Sequence, residues 1–199
     1  MTKIVDDDSK EVDRFKSGDS QAFDELMTRY EDRIYGFLTR MCRSRDNAKD
    51  RLQDTFLTAF RYLKDFRGEA SFKTWIYRIA STSCFRSMRR KKNEPSHHLS
   101  LDDLTPGQME ITKGVDAKWT DSTSKELLNR ELKEKIDESL YSLDEKYRVV
   151  FVLRDVEGFS SEEVSKMLDI SVPAVKTRLH RARLYLRKEL AEYYLNGGG

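Results

Sequence analysis

A basic stretch runs from Ser171 to Lys188 and reads SVPAVKTRLHRARLYLRK. It holds six lysines or arginines and no acidic residue, whereas the whole chain of 199 residues carries 37 basic and 35 acidic side chains. Arginine can form a bidentate contact to guanine, and threonine can bond a base or touch a thymine methyl group. The stretch therefore predicts nucleic-acid binding, with a solvated basic face on a core helix as the plainer alternative.

The apolar residues of this stretch recur at helical spacing. On a wheel of about 100° per residue, Val175, Leu179, Ala182 and Leu186 share one narrow sector, which predicts the buried face. Pro173, Thr177 and His180 lie in the opposite sector, with Arg181 close beside them, and Lys176 flanks it. These five residues are expected to face base edges or nearby phosphates. Three more lie further along and suit phosphate contacts: Arg183, Arg187 and Lys188.

The residues before this stretch predict a shorter helix and a turn. Ser160 to Glu163 reads S-S-E-E, a capping box that leads into a helix from Ser161 to Leu168. A turn at Asp169 to Ser171 precedes the basic helix, expected from Val172 to about Leu190. Two helices joined by such a turn form a helix-turn-helix, whose second helix enters the major groove of DNA with its N-terminal part.

A second basic patch differs in its setting. The segment from Ser81 to Lys92 has five basic residues and no acid, and several aromatic residues precede it, among them Phe66, Phe72 and Trp75. Basic residues beside aromatic ones suit single-stranded nucleic acid, because cations follow the backbone and rings stack on bases. Aromatic residues at this spacing are more often core, and that alternative stays open.

The elements that carry these patches are predicted to form two small helical domains. Helical patterns cover Asp19 to Met88, with Gly68 as a break, and return from Glu126, with a further capping box at Ser142 to Glu145 and a helix end at Gly158. The predicted organisation is an N-terminal segment 1–18, a first domain 19–92, a linker 93–125, a second domain 126–196 and a tail 197–199. The fold class is all-α.

Several classes of function find little support. Cys42 and Cys84 are expected to be single small buried residues rather than a disulfide framework. No apolar run reaches the roughly 20 residues that a membrane span needs, so a cytoplasmic protein without membrane insertion is expected. No H-x-E, C-x-x-C or P-loop motif indicates an enzyme, and His97 and His98 lack nearby cysteines, so neither a metal nor a cofactor is implied.

Three segments, taken in order, resemble the extracytoplasmic-function class of bacterial RNA polymerase sigma factors. They are DRLQDTFLTAFR (Asp50 to Arg61), FRGEASFKTWIYRIA (Phe66 to Ala80) and FVLRDVEGFSSEEVSKMLDISVPAVKTRLHRAR (Phe151 to Arg183). The resemblance implies a non-enzymatic subunit with sigma region 2 and region 4 domains. Its partners would be core RNA polymerase (the clamp of the largest subunit and the flap of the second largest), promoter DNA and an anti-sigma factor.

The resemblance also implies roles for particular residues. Those that match the polymerase-docking segment are Asp50, Gln53 and Asp54. Those that match the region for the downstream (−10) promoter element, where a flipped base is captured, are Phe66, Arg67, Gly68, Glu69, Ala70, Ser71, Trp75, Arg78, Thr82, Arg86, Arg89 and Arg90. Arg154, Ser161 and Glu162 match positions near the upstream (−35) element, which the basic helix would read.

Two positions of the downstream-element helix depart from the family pattern, which commonly has asparagine at Thr82 and aspartate or asparagine at Arg86.

Two other functions compete with that of a sigma factor: a stand-alone helix-turn-helix regulator that binds duplex DNA as a dimer, and a nucleic-acid enzyme. The regulator leaves the polar stripe formed by Asp50, Gln53 and Asp54 without a role, and the enzyme lacks a supporting motif.

Overall fold

A computed structural model describes residues 7–42, 44–90 and 135–195, with side chains given to residue 84 in the second range and to residue 191 in the third. Its α-helices are α1 (Ser9–Lys16), α2 (Gln21–Met41), α3 (Arg45–Tyr62), α4 (Phe72–Arg90), α5 (Glu145–Phe151), α6 (Ser161–Leu168) and α7 (Val172–Leu195). Residues 135–142 are also helical. Within these ranges the regular elements are helical, which confirms the predicted all-α class.

The described residues divide into two compact units. The first contains α1 to α4 together with residues 159–172, and therefore includes α6. The second contains residues 135–158 and most of α7. The predicted linker 93–125, with His97 and His98, and the predicted tail 197–199 lie outside the described residues, as do Leu127, Leu128 and Leu132 of the helix predicted to follow the linker.

In the first unit, α2 supplies the central buried face. Leu26, Ile34, Phe37 and Leu38 are fully buried and recur at three- and four-residue spacing, which places them on one side of the helix. Helix α3 begins after Ser44, whose hydroxyl accepts a hydrogen bond from the backbone of Asn47. A 3-10 turn at Leu63–Asp65 follows α3 and leads into the loop that precedes α4.

The N-terminal helix α1 was not predicted from the sequence. It buries Val12 and Phe15, and two arginines attach it to its neighbours. Arg14 binds Asp19 at 2.7 Å and Glu25 at 2.7 Å, while Arg29 of α2 binds Glu11 at 2.9 Å. The arginine hydrogen bonds hold the pKa values of Asp19 and Glu11 below their usual range.

In the second unit, a buried cluster joins three elements. Leu140, Leu143 and Tyr147 pack with three residues of α7: Ala182, Tyr185 and Leu186. The capping box predicted at Ser142 to Glu145 is wrong, because residues 135–142 are helical and the Ser142 hydroxyl donates to the carbonyl oxygen of Glu138 within that segment. Asp144 caps α5 instead, and its side chain accepts from the backbone N–H of Lys146 at 3.0 Å.

A π-helical turn continues α5 over Val152–Val156. Such turns are rare, are often found at functional sites, and shift the register of the side chains that follow. The helical run ends before Gly158, which has a φ of 77° as its role as a break requires. None of the helices in the described ranges is long and apolar enough to cross a membrane.

Candidate nucleic-acid and polymerase interfaces

Helix α7 separates a buried face from an exposed one. The four residues of the predicted inner face are buried, with exposed fractions between 0% and 6%: Val175, Leu179, Ala182 and Leu186. Pro173, Thr177 and His180 of the opposite sector are exposed, and so is Lys176, which flanks that sector. The amphipathic prediction for this helix is confirmed, and α7 extends to Leu195, beyond the expected end near Leu190.

Two arginines of α7 make contacts that the wheel did not predict. Arg181 is half-buried and donates to the Tyr147 hydroxyl at 3.2 Å, so this side chain also supports the fold. Arg183 forms two hydrogen bonds of 2.7 Å to the carboxylate of Asp155. The pairing raises the pKa of the Arg183 guanidinium and neutralises it locally. A phosphate that contacts Arg183 would therefore compete with Asp155.

The capping box predicted for α6 is confirmed. Glu163 donates its backbone N–H to the Ser160 hydroxyl at 3.1 Å, and its carboxylate accepts from the Ser160 backbone at 2.8 Å. The same carboxylate accepts from the Thr74 hydroxyl of α4 at 3.2 Å. Burial acts to raise the pKa of Glu163, but the hydrogen bonds from Ser160 and Thr74 outweigh it and lower that pKa.

The other residues matched to the upstream element are placed differently from one another. Ser161, in the first turn of α6, is only 9% exposed, whereas its neighbour Glu162 is exposed. Arg154 is half-buried in the π-helical turn of the second unit. Ser161 thus has little surface to offer a ligand in this conformation.

The residues matched to polymerase docking are all exposed on α3. They are Asp50, Gln53 and Asp54, and Asp54 pairs with Arg51 at 2.8 Å. Gln53 also lines an open groove between α2 and α3. The apolar part of the groove includes Phe23, Met27, Leu52, Phe56, Leu57 and Phe60. Leu57 and Phe60 are 50% and 51% exposed, so the polar stripe borders an apolar surface.

Packing fixes both ends of the loop 66–71. The ring of Phe66 lies 5.2 Å from that of Trp75 and 6.3 Å from that of Phe72. At the other end, the Ser71 hydroxyl accepts from the backbone of Thr74 at 3.1 Å. Between them Gly68 has a φ of 70° and is buried, a conformation that favours glycine.

The side chains of this loop fall into two groups. Arg67 and Glu69 are exposed, whereas Phe66, Ala70 and Ser71 are partly buried. On α4, Arg78 and Thr82 are exposed, and the Thr82 hydroxyl donates to the Arg78 carbonyl oxygen at 2.9 Å. Arg86, Arg89 and Arg90 continue α4, but their side chains lie outside those described.

Some residues near the loop were missed by sequence reasoning. The ammonium of Lys16 lies 5.7 Å from the centre of the Phe66 ring and donates to the Phe66 carbonyl oxygen. Phe159, which is 2% exposed, has its ring 4.9 Å from that of Tyr77 and 4.4 Å from the Lys73 ammonium. Contacts across 50 or more residues leave no local pattern in the sequence.

Helices α6 and α7 are joined by a turn of three residues, the kind of connection that a helix-turn-helix uses. The family model for Sigma-70 region 2 matches residues 26–94 of the chain, and the family model for Sigma-70, region 4 matches residues 133–186. The ECF RNA polymerase sigma-E factor of Haemophilus influenzae is 31% identical over 179 residues, which cover 90% of this chain and 93% of that protein.

Two solved structures share the fold. One is CnrH in complex with the cytosolic domain of CnrY, with a TM-score of 0.67, 24% identity, and coverage of 94% of this chain and 99% of that one. The other is the sigma factor RpoE in complex with the anti-sigma factor NepR from Bartonella quintana, with a TM-score of 0.63, 20% identity, and coverage of 85% and 96%.

The chain belongs to the extracytoplasmic-function family of RNA polymerase sigma factors. It is a non-enzymatic transcription initiation factor that directs RNA polymerase to particular promoters. The stand-alone regulator and the nucleic-acid enzyme are thereby set aside.

Proposed function

We propose that the two ends of the chain divide promoter recognition between them. The first predicted domain, 19–92, docks on core RNA polymerase and captures a base of the downstream element. The second, 126–196, reads the upstream element as duplex DNA through α7. The linker 93–125 tethers the two. Each site alone is small, and tethering on the polymerase raises the effective concentration of the second site once the first is bound.

Polymerase docking is assigned to the exposed stripe of Asp50, Gln53 and Asp54. These residues face solvent beside the apolar groove of α2 and α3, so a partner helix could meet polar groups and an apolar surface together. The partner is the clamp of the polymerase's largest subunit. The Arg51–Asp54 pair must rearrange or be shared when the partner binds, since Asp54 is already engaged.

Capture of a downstream base is assigned to the loop from Phe66 to Ser71. An extruded base costs a few kcal/mol in lost stacking and pairing, so its pocket must be preformed. The aromatic contacts of Phe66 and the cap at Ser71 give the loop such a fixed conformation. Arg67 in the loop and Arg78 and Thr82 on α4 are exposed, and Arg86, Arg89 and Arg90 follow along the sequence of α4. Arginines suit contacts to the DNA backbone.

Recognition of the upstream element is assigned to Lys176, Thr177 and His180, with Pro173 at the start of the helix. The observation that carries this assignment is the separation of faces on α7, where these four residues are exposed and the inner face is buried. Arg181 has a second task in supporting Tyr147. Arg154, Ser161 and Glu162 keep the assignment to the upstream element that the family resemblance implies, and Ser161, which is 9% exposed, needs a local rearrangement to contact DNA.

The direct test is run-off transcription with purified core polymerase and a promoter library. The wild-type protein should select a class of promoters with both elements. Asp54→Lys should weaken polymerase binding, because it replaces an exposed carboxylate of the docking stripe by a cation. The melting temperature should change little, because the lost pair with Arg51 lies at the surface. Asp32→Lys, the same charge change at an exposed site on α2, is the matched control. Normal polymerase binding by Asp54→Lys would contradict the docking assignment.

A second test addresses the upstream element. Lys176→Ala should reduce transcription most at promoters that keep the upstream element, and Lys10→Ala on α1 serves as a control for lost charge. Equal losses in both variants, or on promoters without the element, would overturn the assignment of α7.

We also place the protein in the cytoplasm, where core polymerase is found, and assign it an anti-sigma partner. The solved RpoE–NepR complex supports this partner by likeness of fold. A pull-down from the source organism should recover a protein that competes with core polymerase for the exposed faces.

A further inference from the structure

Two cysteine thiols meet inside the first unit. Cys42 caps the C-terminus of α2, and Cys84 lies in α4. Their sulfur atoms are 3.9 Å apart across a separation of 42 residues. Both residues are buried, with exposed fractions of 7% and 0%, and neither is in a disulfide. The burial agrees with the sequence analysis, but the close approach of the two thiols was not predicted.

We propose that Cys42 and Cys84 form a redox-active pair that a hydroperoxide converts into an intramolecular disulfide. A disulfide bond is about 2.05 Å long, so the sulfurs need to approach by about 1.9 Å. Disulfides in reducing compartments are mostly transient and redox-sensing, which suits two thiols held in contact but not bonded. No group of three or more His, Cys, Asp or Glu residues suited to a metal occurs within the described ranges.

The surroundings assign different roles to the two sulfurs. Cys42 has an extended backbone, with φ −103° and ψ 129°, and stands where α2 ends and the connection to α3 begins. It is also the more exposed of the two. Cys84 sits within a continuous helix and is fully buried. Cys42 is therefore the sulfur that meets the oxidant, and Cys84 resolves the intermediate.

The reaction balances with one hydroperoxide per pair. The Cys42 thiolate attacks the terminal peroxide oxygen, so that an S–O bond forms and the O–O bond breaks, and the departing alkoxide, or hydroxide from hydrogen peroxide, takes up a proton. Cys84 then attacks the sulfenic sulfur, forming the S–S bond, and the S–O bond breaks with loss of water. Two thiols lose two electrons in total, and the peroxide gains them.

The consequence for transcription rests on the proposed function of α4. Cys84 stands two residues from both Thr82 and Arg86, which are assigned to the downstream element. Closing the sulfurs pulls this part of α4 towards the end of α2 and fixes it there. We therefore expect the oxidised protein to open promoters less efficiently while it becomes harder to unfold, because a covalent loop restricts the unfolded chain.

The first experiment detects the bond in the full-length protein. The folded protein is treated with hydrogen peroxide and, separately, with diamide, which oxidises thiols in pairs, and is then analysed by mass spectrometry under non-reducing conditions. We expect a monomer that has lost two hydrogens, a cross-linked peptide containing Cys42 and Cys84, and a melting temperature raised by several degrees. If the folded chain keeps both thiols reactive to alkylation while the unfolded chain forms the bond, the proposal fails.

The second experiment compares run-off transcription by reduced and oxidised protein. Activity should fall several-fold on oxidation and return with dithiothreitol, whereas Cys42→Ala should not respond to the oxidant. Should that variant be unstable, recovery of the wild-type protein with dithiothreitol answers the same question. A bond that forms without changing transcription would overturn the regulatory role. If even the reduced protein is inactive with polymerase, the proposed function fails. The cross-linked peptide and the melting temperature still show whether Cys42 and Cys84 form a disulfide.

Discussion

The loop before α4 and the recognition helix α7 present their proposed DNA contacts in different ways. In the loop, Phe66 and Trp75 lie against Phe72, so the residues assigned to base capture are also part of the packing. On α7, Lys176 and His180 are exposed, whereas Val175 and Leu179 on the inner face are buried. Folding and recognition share side chains in the first region and use separate faces in the second, except at Arg181, which also donates to Tyr147. Substitutions should therefore damage both properties in the loop and only recognition on the helix.

The largest effect on stability is expected for Phe72→Ala. Phe72 is 1% exposed and contacts the rings of Tyr30, Phe66 and Trp75, so its loss leaves a cavity beneath the loop. Removal of a buried phenylalanine costs about 3–5 kcal/mol of unfolding free energy. Urea denaturation measures this cost, and Phe72→Leu, which fills part of the space, should lose less. If Phe72→Ala left both the unfolding free energy and transcription unchanged, packing and recognition would not be coupled in the loop as proposed.

Ser160→Ala comes next, because it removes one half of the capping box of α6. The hydroxyl accepts from the backbone of Glu163 at 3.1 Å, and loss of such a cap costs about 1 kcal/mol. Ser160→Asp retains an acceptor and should restore most of the stability. Thermal unfolding followed by circular dichroism distinguishes the two variants.

A smaller effect is expected from pH acting on Glu163. Its pKa in the folded protein lies below the ordinary value of 4.5, so ionised Glu163 stabilises the fold above pH 4.5. That contribution is lost as the pH falls through the folded pKa. Glu163→Gln should have a lower melting temperature than the wild type at pH 7, and the difference should narrow as the pH drops below 4.5. A constant difference across this range would show that the carboxylate is not responsible.

The smallest change in stability is expected for His180→Ala. His180 is exposed, and surface substitutions of this kind alter unfolding free energy by less than about 0.5 kcal/mol. Binding of the upstream element should nevertheless weaken several-fold, as measured by transcription from promoters with and without it. A loss of stability equal to that of Ser160→Ala would show that the faces of α7 are not separate.

The sequence predicts features that depend on local patterns. The buried face of α7 follows from the spacing of Val175, Leu179 and Ala182, since burial of one helix side imposes that period. The capping box at Ser160 is likewise local. A cap was expected at Ser142 but found at Asp144, because both residue types can cap a helix and the end of the preceding helix decides between them.

Features that depend on distant contacts were not predicted. Helix α1 buries Val12 and Phe15, and its attachments include the ion pair of Glu11 with Arg29 and the hydrogen bond from Lys16 to the Phe66 carbonyl oxygen, which no periodicity encodes. The exposure of most proposed reading residues was predicted, but the bond from Arg181 to Tyr147 spans 34 residues and was not. The approach of Cys42 to Cys84 belongs to the same class.

The aromatic rings of Phe15, Phe23 and Phe60 form a cluster that includes α1, and this cluster decides where a stable fragment of the protein should begin. Phe15 of α1 lies 5.5 Å from Phe23 and 5.6 Å from Phe60, while the region 2 match begins only at residue 26. A fragment trimmed to that match loses two of the three rings and uncovers the third beside the α2–α3 groove. A fragment that begins at residue 7 keeps all three rings. A soluble fragment for measuring polymerase docking should therefore begin there rather than at the edge of the family match.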